Sequence, residues 1–205
     1  MKFRLIFLAI SVVLYPSILA AEEDPAIKLQ ETIKAALVVF YQPDAANKSG
    51  KEKRMQIASL LSDTYDLSVI VRRAMGRNWK KLSPAEQEEI LSLFEQLVVK
   101  VTYNRLSSGI EQPEIEYGKT VYESDKRVRI PSVIRVEGNS YNVAYRLGKL
   151  ASGWQIYDII AEDISFVSNY RQQFNDHFRR SDGATLIQKL KEMLTNEDTT
   201  AQLTL

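Results

Sequence analysis

Residues 114–161 read EIEYGKTVYESDKRVRIPSVIRVEGNSYNVAYRLGKLASGWQIYDIIA, and this stretch decides the fold. Its hydropathy has a period of two. Ile115, Tyr117, Lys119 and Val121 alternate with Glu116, Gly118 and Thr120, and Val128, Ile130, Ile134 and Val136 with Arg127, Arg129 and Arg135. Tyr141, Val143, Tyr145 and Leu147 alternate with Asn142 and Arg146, and Trp154, Ile156, Asp158 and Ile160 with Gln155, Tyr157 and Ile159. Successive side chains of a strand point to opposite faces, so the pattern predicts four strands sharing one apolar face. Gly138-Asn139 and Ser152-Gly153 supply hairpin turns for an antiparallel meander. Pro131 has no N–H for a ladder, which predicts an edge position or a bulge for the second strand.

The flanks have helical spacing. Ile27, Ile33, Leu37 and Phe40 mark a helix over Ile27–Tyr41, residues 42–50 read as a loop, and a second helix is predicted over Lys51–Leu61. Leu67, Ile70, Val71 and Ala74 form a stripe behind the capping residues Asp63 and Asp66, with Gly76 as its stop. Ser83-Pro84-Ala85-Glu86 is a capping box with proline at the first helical position. It opens the longest helix, Pro84 to about Leu106, with the stripe Ile90, Phe94, Leu97 and Val101. Downstream, Phe166, Tyr170, Phe174 and Phe178 recur at steps of four. Ser181-Asp182-Gly183 ends that helix, and Leu186, Ile187, Leu190 and Met193 mark a last one. The expected domain is α+β, a four-stranded twisted antiparallel sheet (about 114–161) cupped by helices (about 27–110 and 162–194), followed by a polar tail, 196–205.

Residues 1–20 belong to a different class. Lys2 and Arg4 precede an apolar run, Leu5–Tyr15, too short to span a bilayer. Pro16 breaks the run, and Ala20 or Ala21 offers a small residue for cleavage. The segment reads as a cleavable export signal, with an uncleaved N-terminal anchor as the alternative, which leaves residues 21–195 as the functional domain.

Composition narrows the chemistry. The 205 residues include 27 Lys+Arg, 26 Asp+Glu, one His and no Cys, for a net charge of +1. Removing Lys2 and Arg4 leaves 25 basic against 26 acidic residues, a net of −1. A near-neutral chain lacks the footprint of a nucleic-acid binder. Without cysteine there is no disulfide, thiolate zinc site or thiol nucleophile, and one histidine makes no His-rich metal centre. No Gly-rich phosphate loop or Gly-x-Ser-x-Gly elbow is present. No catalytic set, metal or cofactor is therefore expected, and His177 reads as a surface or helix-face residue.

Three features are open to more than one reading. Arg72, Arg73, Arg77, Lys80 and Lys81, beside Trp79, are a solvated helix end or a contact for anionic headgroups or an acidic partner. Asp158 has the parity of Trp154 and Ile156, which aims it at the apolar face. There it is either an ion-paired or amide-bonded structural carboxylate or a general base with a raised pKa. The space between sheet and helices is either a filled core or an apolar cavity that takes acyl chains.

Several blocks carry a family resemblance. Asp66-Leu67, Ala74-Met75-Gly76-Arg77-Asn78-Trp79 and Ser83-Pro84, then Phe94, Leu97, Tyr103 and Leu106, resemble the MlaC family of periplasmic phospholipid-binding proteins, also called toluene-tolerance auxiliary proteins. Gly153-Trp154-Gln155-Ile156-Tyr157-Asp158-Ile159 is similar to its Gly-Trp segment. Ile164-Ser165-Phe166-Val167-Ser168-Asn169-Tyr170-Arg171-Gln172-Gln173-Phe174 is similar to its Asn-Tyr-Arg-x-Gln-Phe signature. Leu186-Ile187 and Leu190 match its last helix. The resemblance covers about residues 27–195. One departure is Glu162-Asp163, where the family usually has Glu-Gly, and glycine often marks a positive φ.

The resemblance implies a soluble monomeric shuttle rather than an enzyme. Such proteins carry phospholipid between an outer-membrane lipoprotein–porin complex and an inner-membrane ABC transporter. The implied fold is a sheet cupped by helices, similar to the nuclear-transport-factor-like cone, with phospholipid as cargo and no cofactor. On that reading the lining is Ile134, Val136, Val143, Tyr145, Leu147 and Ile156 on the sheet, facing Leu97, Val101, Phe166 and Tyr170. The opposite strand parity is the other possible lining. Arg171 reads as a structural partner of Asp158, or of a helix end, rather than a headgroup ligand. The competing classes are a cone-fold isomerase or dehydratase using Asp158 with Tyr145 or Tyr170, and a ligand-free periplasmic adaptor with a filled core.

Overall fold

The computed structural model of the protein describes residues 24–42, 47–108 and 111–196. The predicted export signal and nearly all of the predicted polar tail lie outside the described residues. Among the described residues, six α-helices and six strands run in the order α1 (Pro25–Tyr41), α2 (Gly50–Thr64), α3 (Ser68–Met75), α4 (Pro84–Ser108), β1 (Glu114–Tyr117), β2 (Val121–Ser124), β3 (Arg127–Val136), β4 (Asn139–Leu150), β5 (Gly153–Ala161), β6 (Ile164–Ser165), α5 (Phe166–Phe178) and α6 (Gly183–Thr195). The class is α+β with an antiparallel sheet.

Local chemistry sets the helix starts. Asp24 accepts from the Ala26 amide at 2.8 Å, with Pro25 at the first helical position of α1. Ser49 and Glu52 form a reciprocal capping box on α2, and Ser83 and Glu86 form one on α4. Asp182 caps α6 through the Thr185 amide at 2.9 Å. Gly76, at φ +54 and ψ −123, stops α3 in a conformation that side chains resist, and Gly76–Lys81 continues as a 3₁₀ turn.

The sheet differs from the expected meander in strand number. It has six strands, ordered β1-β3-β4-β5-β6 with β2 also on β3. The stretch expected as one first strand is two, β1 and β2, broken over residues 118–120. Pro131 explains the break. It sits in an interior strand, opposite Ala144 of β4, and its missing N–H falls on the side where β1 has ended and β2 has not begun. There the Gly118 amide donates to the Pro131 carbonyl at 2.8 Å. A Cβ on Gly118 would stand only 3.0 Å from Pro131 Cγ, so the close approach favours glycine. Pro131 therefore marks a break in its neighbour rather than a sheet edge. The hairpin turns fall one residue earlier than expected, at 137–138 and 151–152.

The unexpected strand β6 forms because Glu162 and Asp163 turn the chain sharply, at φ 47 and φ 63. Positive φ is kept although glycine is absent. Glu162 is held at both ends, its amide donating to the Asn142 carbonyl and its carboxylate accepting from the Asn142 amide. Left-handed geometry is unfavourable for an L-residue, less so for Asp. Asp163→Gly is therefore expected to raise stability by about 0.5 kcal/mol, net of the extra freedom glycine gives the unfolded chain. Chemical denaturation measures it, and a loss would show that Asp163 makes a stabilising contact of its own.

Two cores result. One lies among the helices, with Met75, Ile90, Leu97, Phe174, Leu186 and Leu190 fully buried. The other packs Leu29 of α1 and Tyr65 on the sheet face bearing Val128, Ile130, Tyr145, Leu147 and Trp154.

Candidate functional site

Where the two cores meet, α3, α4, α5 and β5 enclose a cavity of about 240 Å³. Residues three or four apart share a helix face, and this spacing builds each wall. Ile70, Val71 and Ala74 come from α3, with Leu67 at its start; Phe94, Val98, Val101 and Thr102 come from α4; Phe166, Tyr170 and Phe174 come from α5. Ile159 of β5 closes the sheet side and also packs with the sheet core. The aromatic rings form a chain, Phe166 to Tyr170 at 6.2 Å, Tyr170 to Phe174 at 6.4 Å, and Phe174 edge-on to Phe94 at 5.8 Å. Phe166 remains 45% exposed, so the chain of rings runs from buried Phe174 out to solvent.

Among the described residues, no charged side chain lines this cavity. Its only side-chain polar atoms are the Thr102 hydroxyl and the Tyr170 phenol. Burial pushes the Tyr170 phenol up to about 12, so it stays neutral at physiological pH. Tyr117 is likewise pushed up to about 12, first by burial and then by Tyr145. The unfolded phenol titrates near 10. A raised folded value stabilises fully below that pH, and the stabilisation is lost as pH rises through the folded value. Stability should therefore be level through neutral pH and fall between about 10 and about 12. Thermal melts across that range check this, and Tyr170→Phe should shrink the fall.

A second cavity of about 320 Å³ adjoins the first and shares Leu67 and Val71 with it. Those two residues line both, and the rest of the second lining is mixed, with Tyr65 and Leu91 beside Ser62, Asp66, Ser68 and Glu95.

Of the residues expected to line a cavity, the structure brings Val101, Phe166 and Tyr170 together here. Leu97 is fully buried in the helical core. Tyr145 and Leu147 are buried in the sheet core, with Val143 and Ile156 packed at its margin. Ile134 and Val136 are half-buried on the same sheet face, beyond this cavity. The α3 wall, Val98, Thr102 and Ile159 were not expected. The stripe on α3 was visible in its spacing; what placed it on a cavity was not.

Asp158 does not face the apolar side. Leu147 pairs with Ile156 and Arg146 with Asp158, so Tyr157 is an extra residue and the parity of β5 reverses at that bulge. Ile159 thereby joins the face of Trp154 and Ile156, and Asp158 leaves it. The buried Asp158 carboxylate accepts from Ser165 Oγ at 2.7 Å and from the Val167 amide at 3.1 Å, and it pairs with Arg146 Nη1 at 3.5 Å. Both oxygens are committed to fixing the start of α5, which opposes a role as general base. Arg171 is not its partner. It donates through Nη2 to the Arg73 carbonyl at 2.7 Å, satisfying the last turn of α3. His177 is buried rather than on the surface, its Nε2 2.9 Å from the Asp182 carbonyl. Among the described residues, no cluster of acidic and histidine side chains is placed to hold a metal ion, and no helix is long and apolar enough to cross a membrane.

The sequence matches the family model described as MlaC protein over residues 30–192. No curated protein matches the chain. Among solved structures, a phospholipid-binding protein from Ralstonia solanacearum, in complex with a phospholipid, aligns with a TM-score of 0.73 at 22% identity. The alignment covers 84% of this chain and 97% of that one, which shows a shared fold.

Proposed function

Because the chain belongs to the MlaC family, we propose that it is an exported phospholipid carrier, taking up lipid from one membrane complex and delivering it to another across the periplasm. Residues 1–20 would direct export and be removed. The carrying observation is the cavity walled by apolar residues of α3, α4, α5 and β5, free of charged side chains. Such a site suits acyl chains and offers a polar substrate little beyond the Thr102 hydroxyl and the Tyr170 phenol. Burial of hydrocarbon contributes about 0.8 kcal/mol per methylene, so acyl chains are held without specific polar contacts. The similar Ralstonia protein was solved with a phospholipid, which supports the same cargo.

A volume of about 240 Å³ is below the roughly 300–1,000 Å³ of ordinary ligand pockets. Cargo therefore has to widen the site. Displacing Leu67 and Val71 would merge it with the adjoining 320 Å³ cavity, which makes α3 the moving wall. Since bilayer and carrier offer similar apolar surroundings, release would depend on a partner that deforms this wall. The family implies two such partners, an outer-membrane lipoprotein complex and an inner-membrane ABC transporter.

A binding role is favoured over an enzymatic one by the committed geometry of Asp158, and over a ligand-free adaptor by the cavity itself. The test is to incubate delipidated protein with phospholipid vesicles, separate the two, and measure lipid phosphate on the protein. Near-stoichiometric phosphate is expected; none would remove the proposal.

A further inference from the structure

The other side of α3 carries a second site of opposite character. A cleft of about 450 Å³ is lined by Arg73 of α3, Lys126 and Arg127 where β2 turns into β3, Lys149 and Leu150 at the end of β4, and Tyr157 of β5. Among the described residues, no acidic side chain lines it. Four cations thus gather in one cleft of a chain whose net charge is only +1. The guanidinium of Arg73 lies 4.5 Å from the Tyr157 ring centroid, a cation–π contact that fixes its place. The Arg73 carbonyl is anchored by Arg171.

The cleft is anion-binding by charge, and Leu150 decides the class of partner. It is 49% exposed between Lys149 and the hairpin turn. An exposed aliphatic side chain set among cations fits the boundary of headgroups and acyl chains, where both gain. An acidic protein would meet the positive charge and leave Leu150 without a role.

We infer that this basic cleft docks the protein on a membrane surface carrying anionic phospholipid, through headgroup phosphates. Docking there sets α3 against the bilayer. Val69 and Arg73 of that helix face the cleft, while Ile70, Val71 and Ala74 face the apolar cavity. The wall that has to move for cargo is the wall that meets the membrane. This coupling to cargo rests on the carrier reading, whereas docking itself does not.

The experiment is co-sedimentation of the full mature protein with vesicles of phosphatidylcholine alone or of phosphatidylcholine and phosphatidylglycerol in equal parts. Binding to the anionic vesicles only, weakened by salt, is expected. Each surface cation is worth about fivefold in binding, so Lys126→Glu with Arg127→Glu should lower it by at least about tenfold. Lys51→Glu with Arg105→Glu, remote from the cleft, should not. Equal binding to both vesicle types, no binding to either, or an undiminished Lys126→Glu/Arg127→Glu protein would overturn the inference. No binding to either, with capture of an acidic protein by the same cations, would assign the cleft to that partner instead. Lipid phosphate on the protein is read in the same samples. Docking without cargo removes the carrier reading alone, and cargo without docking removes this inference alone.

Discussion

Val98→Trp is expected to reduce the phospholipid bound per folded protein by at least about tenfold. Val98 and Val101 lie one turn apart on α4 and both face the cavity between α3, α5 and Ile159. An indole placed there occupies the space that acyl chains need. Overpacking costs about 1–3 kcal/mol, which an ordinary domain of this size tolerates. Val101→Trp gives an independent second case should the first variant fold poorly. Val121→Trp, on an exposed strand, serves as the control. Folding is checked by thermal melts and cargo by extracted lipid phosphate. Undiminished lipid in both folded cavity variants would place the cargo elsewhere in the molecule.

The second large effect is on stability. Asp158→Ala strips the start of α5 of its carboxylate partner and leaves Arg146 without its counter-charge. Breaking a buried pair costs about 3–5 kcal/mol. The Arg146 side chain is 36% exposed, so water relieves part of that cost. A loss of about 3 kcal/mol is expected, or about 6–12 °C in Tm for a protein of this length. Asp158→Asn should recover part of it by accepting from the Val167 amide. A melting point within about 2 °C of the wild type would mean that α5 is fixed by other contacts.

Much of this architecture was legible because its causes are local. The capping box at Ser83–Glu86, the glycine stop at Gly76 and the period of two from Val128 to Leu147 each announce their element. Sequence pattern and structure part where one residue changes a count. The bulge at Tyr157 reversed the parity of β5, exchanging Asp158 for Ile159 on the apolar face. No hydropathy pattern reports an extra residue between two paired ones. Pro131 implies an edge or a bulge by sequence, but it lies in an interior strand and its missing N–H breaks the neighbouring strand instead, at Gly118. Glu162-Asp163 adopted a turn usually given to glycine, which produced β6.

The candidate site was legible as stripes and not as a space. Phe94, Val101, Phe166, Tyr170 and Phe174 lie on helical stripes that also describe a filled core. Whether such residues touch one another or face a void depends on how three helices diverge from β5. That divergence is a tertiary property without a sequence period. The cations of the basic cleft come from α3, β2–β3 and β4–β5, far apart in sequence. Only Arg73 belonged to the basic run from Arg72 to Lys81.

The most direct test of the central claim is mass spectrometry of lipid extracted from freshly purified protein. Phospholipid in near-stoichiometric amount, lost in Val98→Trp and retained in the Val121→Trp control, is the predicted result. Protein that carries no phospholipid when fresh, and gains none from vesicles, would contradict it.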